Sequence, residues 1–160
     1  MTRAVAVFQT ASIQGTVYFT PLPSNPQMTE IRGRITGLPP GKHGFHIHEY
    51  GDLTEGCASA CAHWNPYGAP HGGPNEPRTK RHAGDLGNIV ANQHGVATIR
   101  MIDPLTHTSG KHNIIGRSLM IHADPDDLGQ GGHSDSLTTG HAGKRIACAV
   151  IGLARPPKGC

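Results

Sequence analysis

Apolar and charged residues are both scarce in this chain. Of its 160 residues, 36% are hydrophobic and 16% are Asp, Glu, Lys or Arg. Charge at that level is too sparse for a disordered, self-solvating tail. No stretch gathers Lys and Arg densely enough to track a phosphate backbone, so no nucleic-acid partner is expected. The net charge of +3 is mild and leaves room for small anions. No apolar run approaches membrane-spanning length, and A-V-A-V-F near the N-terminus is too short for the hydrophobic region of a signal peptide. The expectation is a soluble, cytoplasmic protein with no membrane partner. Amphipathic helical periodicity is missing too. Cys160 ends the chain, whereas a prenylation signal needs its cysteine fourth from the end.

Gly (22) and Pro (13) are abundant, which suits short elements joined by long turns. The length fits one domain with a sizeable core. Strand signals recur at 4–8, 15–20, 29–38 and 44–50, in a hairpin over 87–102, in S-L-M-I-H-A and in I-A-C-A-V-I-G-L-A. Pro21, Pro23 and Pro26 argue against a continuous strand just before residue 29. Glu30, Arg32 and Arg34 share a solvent face opposite Ile31, Gly33 and Ile35. Eight short strands and no helix predict an all-β fold, an antiparallel Greek-key β-sandwich or flattened barrel. Residues 49–86 and 123–144 refuse the pattern and form two long loops, a length that implies function or pinning.

The twelve histidines are spread from His43 to His141. Imidazole is the commonest metal ligand. In G-F-H-I-H-E-Y-G (44–51), strand alternation sends His46 and His48 to one face and Phe45 and Ile47 to the other. His63, His71, His82 and Asp85 lie in or just after the first loop, and His122 ends a strand. Four nitrogens suit tetragonal copper, whereas three histidines and an aspartate suit tetrahedral zinc. His43 reads as structural, His94, His107 and His112 as solvated, and His133 and His141 as loop residues open to adventitious metal. Cys57 and Cys61 have C-x3-C spacing, a weak zinc signal, and Cys148 in an apolar run reads as a buried thiol.

These residues resemble a known family. H-I-H-E-Y-G-D (46–52), H-W-N-P (63–66), H-G-G-P (71–74), R-H-A-G-D-L-G-N (81–88), I-I-G-R-S-L-M-I-H (114–122), D-D-L-G-Q-G-G (126–132) and G-K-R-I-A-C-A-V-I-G (143–152) occur in an order similar to copper/zinc superoxide dismutases of the eukaryotic, intracellular type. The resemblance implies one domain over 1–154 with a short tail over 155–160. It implies copper on His46, His48, His63 and His122, and zinc on His63, His71, His82 and Asp85. His63 would bridge the two ions. Asp126 would accept hydrogen bonds from His48 and His71, Arg145 would attract the anion, and Thr139 would narrow the channel. Cys57 and Cys148 would form a disulfide, leaving Cys61 and Cys160 as free thiols.

The implied activity is dismutation of superoxide to O2 and H2O2 by a copper redox cycle, with the zinc-held His63 supplying a proton. A homodimer is implied, with Tyr50, Gly51, Ile115, Ile151 and Gly152 at the contact, and a copper chaperone as a loading partner. The second loop departs from the animal pattern: Ser134, Asp135 and Thr138 stand where two acids and a lysine are common, and Lys144 precedes Arg145. The steering field is therefore expected to differ while the chemistry does not. Two alternatives are a copper-binding or chaperone-like protein on the same fold and a sandwich that binds zinc alone.

Overall fold

Alternation of buried and exposed side chains marks several long strands, whereas β4 (Gly41–His48) is buried from His43 to His48 on both faces. In β1 (Ala4–Gln9), Ala4, Ala6 and Phe8 are buried while Val7 and Gln9 are exposed. In β3 (Asn25–Thr36), Thr29, Ile31 and Ile35 face inward while Arg32 and Arg34 face solvent. The other barrel strands are β2 (Gln14–Leu22), β4 (Gly41–His48), β6 (Asp85–Ala91), β7 (Ala97–Asp103), β8 (Ser118–His122) and β9 (Arg145–Leu153). The computed structural model describes residues 1–160.

These eight strands close into an antiparallel barrel in the order β1-β2-β3-β7-β6-β4-β8-β9. The links from β3 to β4 and from β7 to β8 each skip two neighbouring strands, which is the Greek-key pattern. β6 and β7 pair only at Ala91 and Ala97, beside the turn that joins them. Closure of the barrel is thinnest there. Gly95, at φ 76°, makes that turn. A cluster of 22 buried apolar residues fills the interior, including Phe8, Phe19, Phe45, Ile47, Leu119 and Ile121. Each large apolar side chain taken fully out of water stabilises the fold by about 1.5–3 kcal/mol.

The structure differs from the sequence reading in two places. β2 runs through Pro21, and β3 begins at Asn25 and includes Pro26. The register shifts between Pro21 and Leu22, beside the turn at residues 23–24 that closes the hairpin, where the ladder is already irregular and tolerates a missing N–H. The first long loop also has its own short strand, β5 (Thr54–Cys57), and a 3-10 turn at Ala58–Ala60. A disulfide joins Cys57 to Cys148 on β9, across a sequence separation of 91 residues. Cys61 and Cys160 are free and exposed. No helix is long and apolar enough to cross a membrane.

Candidate metal centre

β4 supplies two imidazoles from its outer face. Phe45 and Ile47 enter the core, so His46 and His48 must project the other way. β8 lies beside β4 with His46 opposite Met120 and His48 opposite Ser118, which places His122 one step along the same face. The first loop returns against the other edge of β4. His63 bridges to His48, and the Ile47 amide donates to the Gly84 carbonyl. Register shifts between Gly44 and His46, and between Ile121 and His122, re-aim these side chains.

Donor atoms of His46, His48, His63 and His122 lie within 4.8 Å of one another. All four side chains are buried, and His46 Nδ1, His48 Nε2, His63 Nε2 and His122 Nε2 have no hydrogen-bond partner. A buried polar atom left unpaired costs about 1–3 kcal/mol, so four converging ones call for an occupant. The opposite nitrogen of each ring is anchored. His46 Nε2 meets Asp126 Oδ2 at 2.6 Å, and His63 Nδ1 meets Asp85 Oδ1 at 2.9 Å. His48 Nδ1 meets the Cys61 carbonyl at 2.8 Å, and His122 Nδ1 meets the Gly143 carbonyl at 3.0 Å. Anchoring one nitrogen fixes ring orientation and leaves the other as a ligand.

A second group forms on the far side of His63. Nδ1 atoms of His63, His71 and His82 lie 2.9, 3.0 and 3.2 Å from the same oxygen, Asp85 Oδ1. His71 Nδ1 approaches at a distance but not an angle that makes a hydrogen bond, and it too is unpaired. His71 Nε2 meets Asp126 Oδ1 at 2.8 Å. Asp85 Oδ2 accepts from the backbone amides of Gly72 and His82. A four-nitrogen set and a three-nitrogen, one-carboxylate set are the donor chemistries that suit copper and zinc, and the residues fit both ions.

Burial holds His46 and His48 well below the usual imidazole range, with repulsion from His63 next, and it lowers His63 as well. Burial brings His122 down to about 4. Burial also opposes charge on His71, but its hydrogen bond to Asp126 and the close Asp85 carboxylate outweigh it and raise that pKa to about 9. Desolvation works against ionised Asp85, yet hydrogen bonds from His63 and His82 and the close approach of His71 hold its carboxyl well below the carboxylate range. Neutral rings at His46, His48, His63 and His122 and an ionised Asp85 are the protonation states that ligate metal, whereas His71 must give up a proton to do so.

Arg145 begins β9 opposite His122. Its guanidinium donates to the Cys57 carbonyl at 2.7 Å and to the Cys61 carbonyl. Arg145, Thr139, His48, His63 and His122 line one open cavity of about 370 Å³. A larger cavity of about 400 Å³ lies between the N-terminus and residues 107–112 and contains none of these groups. Convergent donors, not size, identify the site.

The geometry corrects one expectation. Asp126 pairs with His46 and His71, not with His48 and His71. His48 faces the first loop and is held there by Cys61 instead. Ile151, read as a contact residue, is fully buried in the barrel core. His43 is structural as expected, its two nitrogens meeting the His122 and Pro39 carbonyls. Three supports escaped the sequence reading. The Cys61 carbonyl holds both His48 and Arg145. Asn88 grips the Asp126 backbone on both sides. Gly140 lies so close to Asp126 and His71 that a Cβ there would clash. Carbonyl roles leave no side-chain signature; the glycine and asparagine were visible but carried no assignment.

Residues 13–151 match the family model for copper/zinc superoxide dismutase (SODC). The chain is 53% identical over 153 residues to a superoxide dismutase [Cu-Zn] of Paramecium bursaria Chlorella virus 1, covering 95% of this chain and 79% of that protein. It also superposes on the crystal structure of the clock protein EA4 with a TM-score of 0.90 at 45% identity, covering 95% of this chain and 94% of the other. The span 13–151 takes in β2 to β8, most of β9, both long loops and every imidazole described above, and the chain therefore belongs to the copper/zinc superoxide dismutase family.

Proposed function

We propose that His46, His48, His63 and His122 hold the copper ion of a superoxide dismutase, and that His63, His71, His82 and Asp85 hold its zinc ion. The observation that carries this reading is the division of His63: its Nε2 is unpaired among the first group, while its Nδ1 faces Asp85 in the second. His46 lies within 4.8 Å of the second group as well. His82 is preferred there because its Nδ1 lies 3.2 Å from both Asp85 Oδ1 and His63 Nδ1, whereas His46 has a single free nitrogen, which the first group requires.

Two superoxide anions and two protons give O2 and H2O2, and copper held by these residues would supply the electron relay between the two. The rest falls to this chain's side chains. Arg145 remains charged at any working pH, although burial lowers its pKa. Clamped by two loop carbonyls, it points a fixed positive charge at the cavity and orients the anion. Thr139 lines the same cavity and narrows the approach. His63 lines that cavity, so a proton held at its Nε2 would be positioned for delivery to the reduced substrate, with solvent providing the other. Asp126 ties the two groups together through His46 and His71.

The protein is read as a cytoplasmic homodimer. Two exposed free thiols, Cys61 and Cys160, suit a reducing compartment. Half-exposed Tyr50, with Gly51, Ile115 and Gly152, is the proposed contact. A copper chaperone is the proposed loading partner. Protein reconstituted with both metals is expected to consume superoxide and to lose that activity to cyanide. Full occupancy by both ions without turnover would instead favour the copper-binding, chaperone-like reading.

A further inference from the structure

A second cavity, of about 320 Å³, borders His63 without reaching Arg145. Its lining includes His63, His82, Asn65, Ala69, Leu137 and Thr138. The copper-side cavity shares only Ala62, His63 and Thr138 with it and reaches neither His82 nor Leu137. Those three residues form the partition between the two. Within the zinc group, exposure follows this opening. The His82 side chain is 9% exposed and His63 2%, while His71 and Asp85 are at 0%.

We propose that this cavity is a separate entrance to the zinc site, through which zinc and small metal-binding ligands exchange independently of the copper mouth. This rests on the assignment of zinc to His63, His71, His82 and Asp85. One rim is stiff, because the Asn65 side chain both donates to the Ala69 carbonyl and accepts from its amide, each at 3.0 Å. The other rim is Leu137 and Thr138 of the second long loop, both exposed. Leu137 is 59% exposed, yet its carbonyl accepts the His71 amide at 2.9 Å. Its backbone is tied to the zinc loop while its side chain stands free at the mouth. At roughly 30 Å³ per water, the cavity holds several waters or an imidazole-sized ligand beside His82. His82 is the ligand that solvent reaches, so exchange begins with its displacement. His71 and Asp85 hold the ion from the closed side.

The test uses the copper- and zinc-loaded full chain, with transfer of each metal to the chelator pyridylazoresorcinol followed separately. Leu137→Ala widens the mouth and is expected to speed zinc transfer by roughly fivefold, the change that about 1 kcal/mol of barrier gives, with copper transfer unchanged. Leu137→Trp is expected to slow zinc transfer alone. In a second arm, Co2+ replaces zinc in His82→Gly and His71→Gly proteins. Added imidazole is expected to restore the parent visible spectrum in the first and not in the second. Both metals moving in parallel, neither responding to Leu137, or equal rescue at both positions would overturn the proposal. The zinc content of the starting protein reports separately on the ligand assignment: a loaded site whose exchange ignores Leu137 defeats the entrance alone, whereas absence of zinc defeats the assignment.

Discussion

Asp126 holds His46 with one carboxylate oxygen and His71 with the other, so one residue orients a ring in each metal group. Asp126→Asn keeps the shape but can accept with only one of those atoms. It is expected to weaken retention of both metals by about 10- to 100-fold in chelator competition, the usual cost of losing a group that orients a ligand. A change confined to one metal would contradict the shared-anchor geometry. The burial of the imidazoles sets a pH dependence in the metal-free protein. His46, His48, His63 and His122 all have folded pKa values below the unfolded value of 6.5, with His122 at about 4. Below pH 6.5 the unfolded chain therefore binds more protons than the folded one at these sites, and stability falls as pH falls toward 4. His71, raised to about 9, acts in the opposite sense: its contribution is fully present below 6.5 and is lost as pH rises through 9. Four groups against one predict a net decline in the Tm of the metal-free protein on acidification from pH 6.5. His122→Gln is expected to flatten that slope; an unchanged slope would remove His122 from the account.

Between elements, the Cys57–Cys148 disulfide fastens the end of β5 to β9. A closed loop of that length stabilises by about 4–5 kcal/mol in the chain-entropy model. The Cys57 carbonyl also receives Arg145, so the bond fixes the loop that clamps this guanidinium at the cavity. The Cys57→Ser, Cys148→Ser double variant is expected to melt about 10–15 °C lower and to lose activity even where it is folded and metal-loaded. Full activity at low temperature would show that the Arg145 clamp stands without the bond. The strands themselves were legible in the sequence, because period-two alternation depends on side chains that sit next to one another. The extension of β2 through Pro21 was not, because what a proline costs depends on which neighbour its missing N–H would have met. β5 and the 3-10 turn were not legible either: T-E-G-C has no apolar alternation, and that segment is held from outside by the disulfide.

At the scale of the whole molecule, a net charge of +3 and one clamped arginine at the cavity set the field that an anion meets. Salt screens that field, so superoxide turnover is expected to fall as ionic strength rises. Arg145→Ala is expected to lower the rate by roughly tenfold or more and to flatten the salt dependence. An equally steep dependence in the variant would place the steering elsewhere on the surface. By itself, the sequence determined the all-β class, the inward and outward faces of β4, the set of imidazoles that could serve as ligands and the family resemblance, since each follows from residue type and local spacing. Tertiary structure alone decided that Asp126 serves His46 and not His48, that carbonyls of Cys57 and Cys61 position Arg145, and that His63 borders two different cavities. Those features depend on where two long loops come to rest against the barrel, and contacts between residues dozens of positions apart leave no periodic trace in the chain.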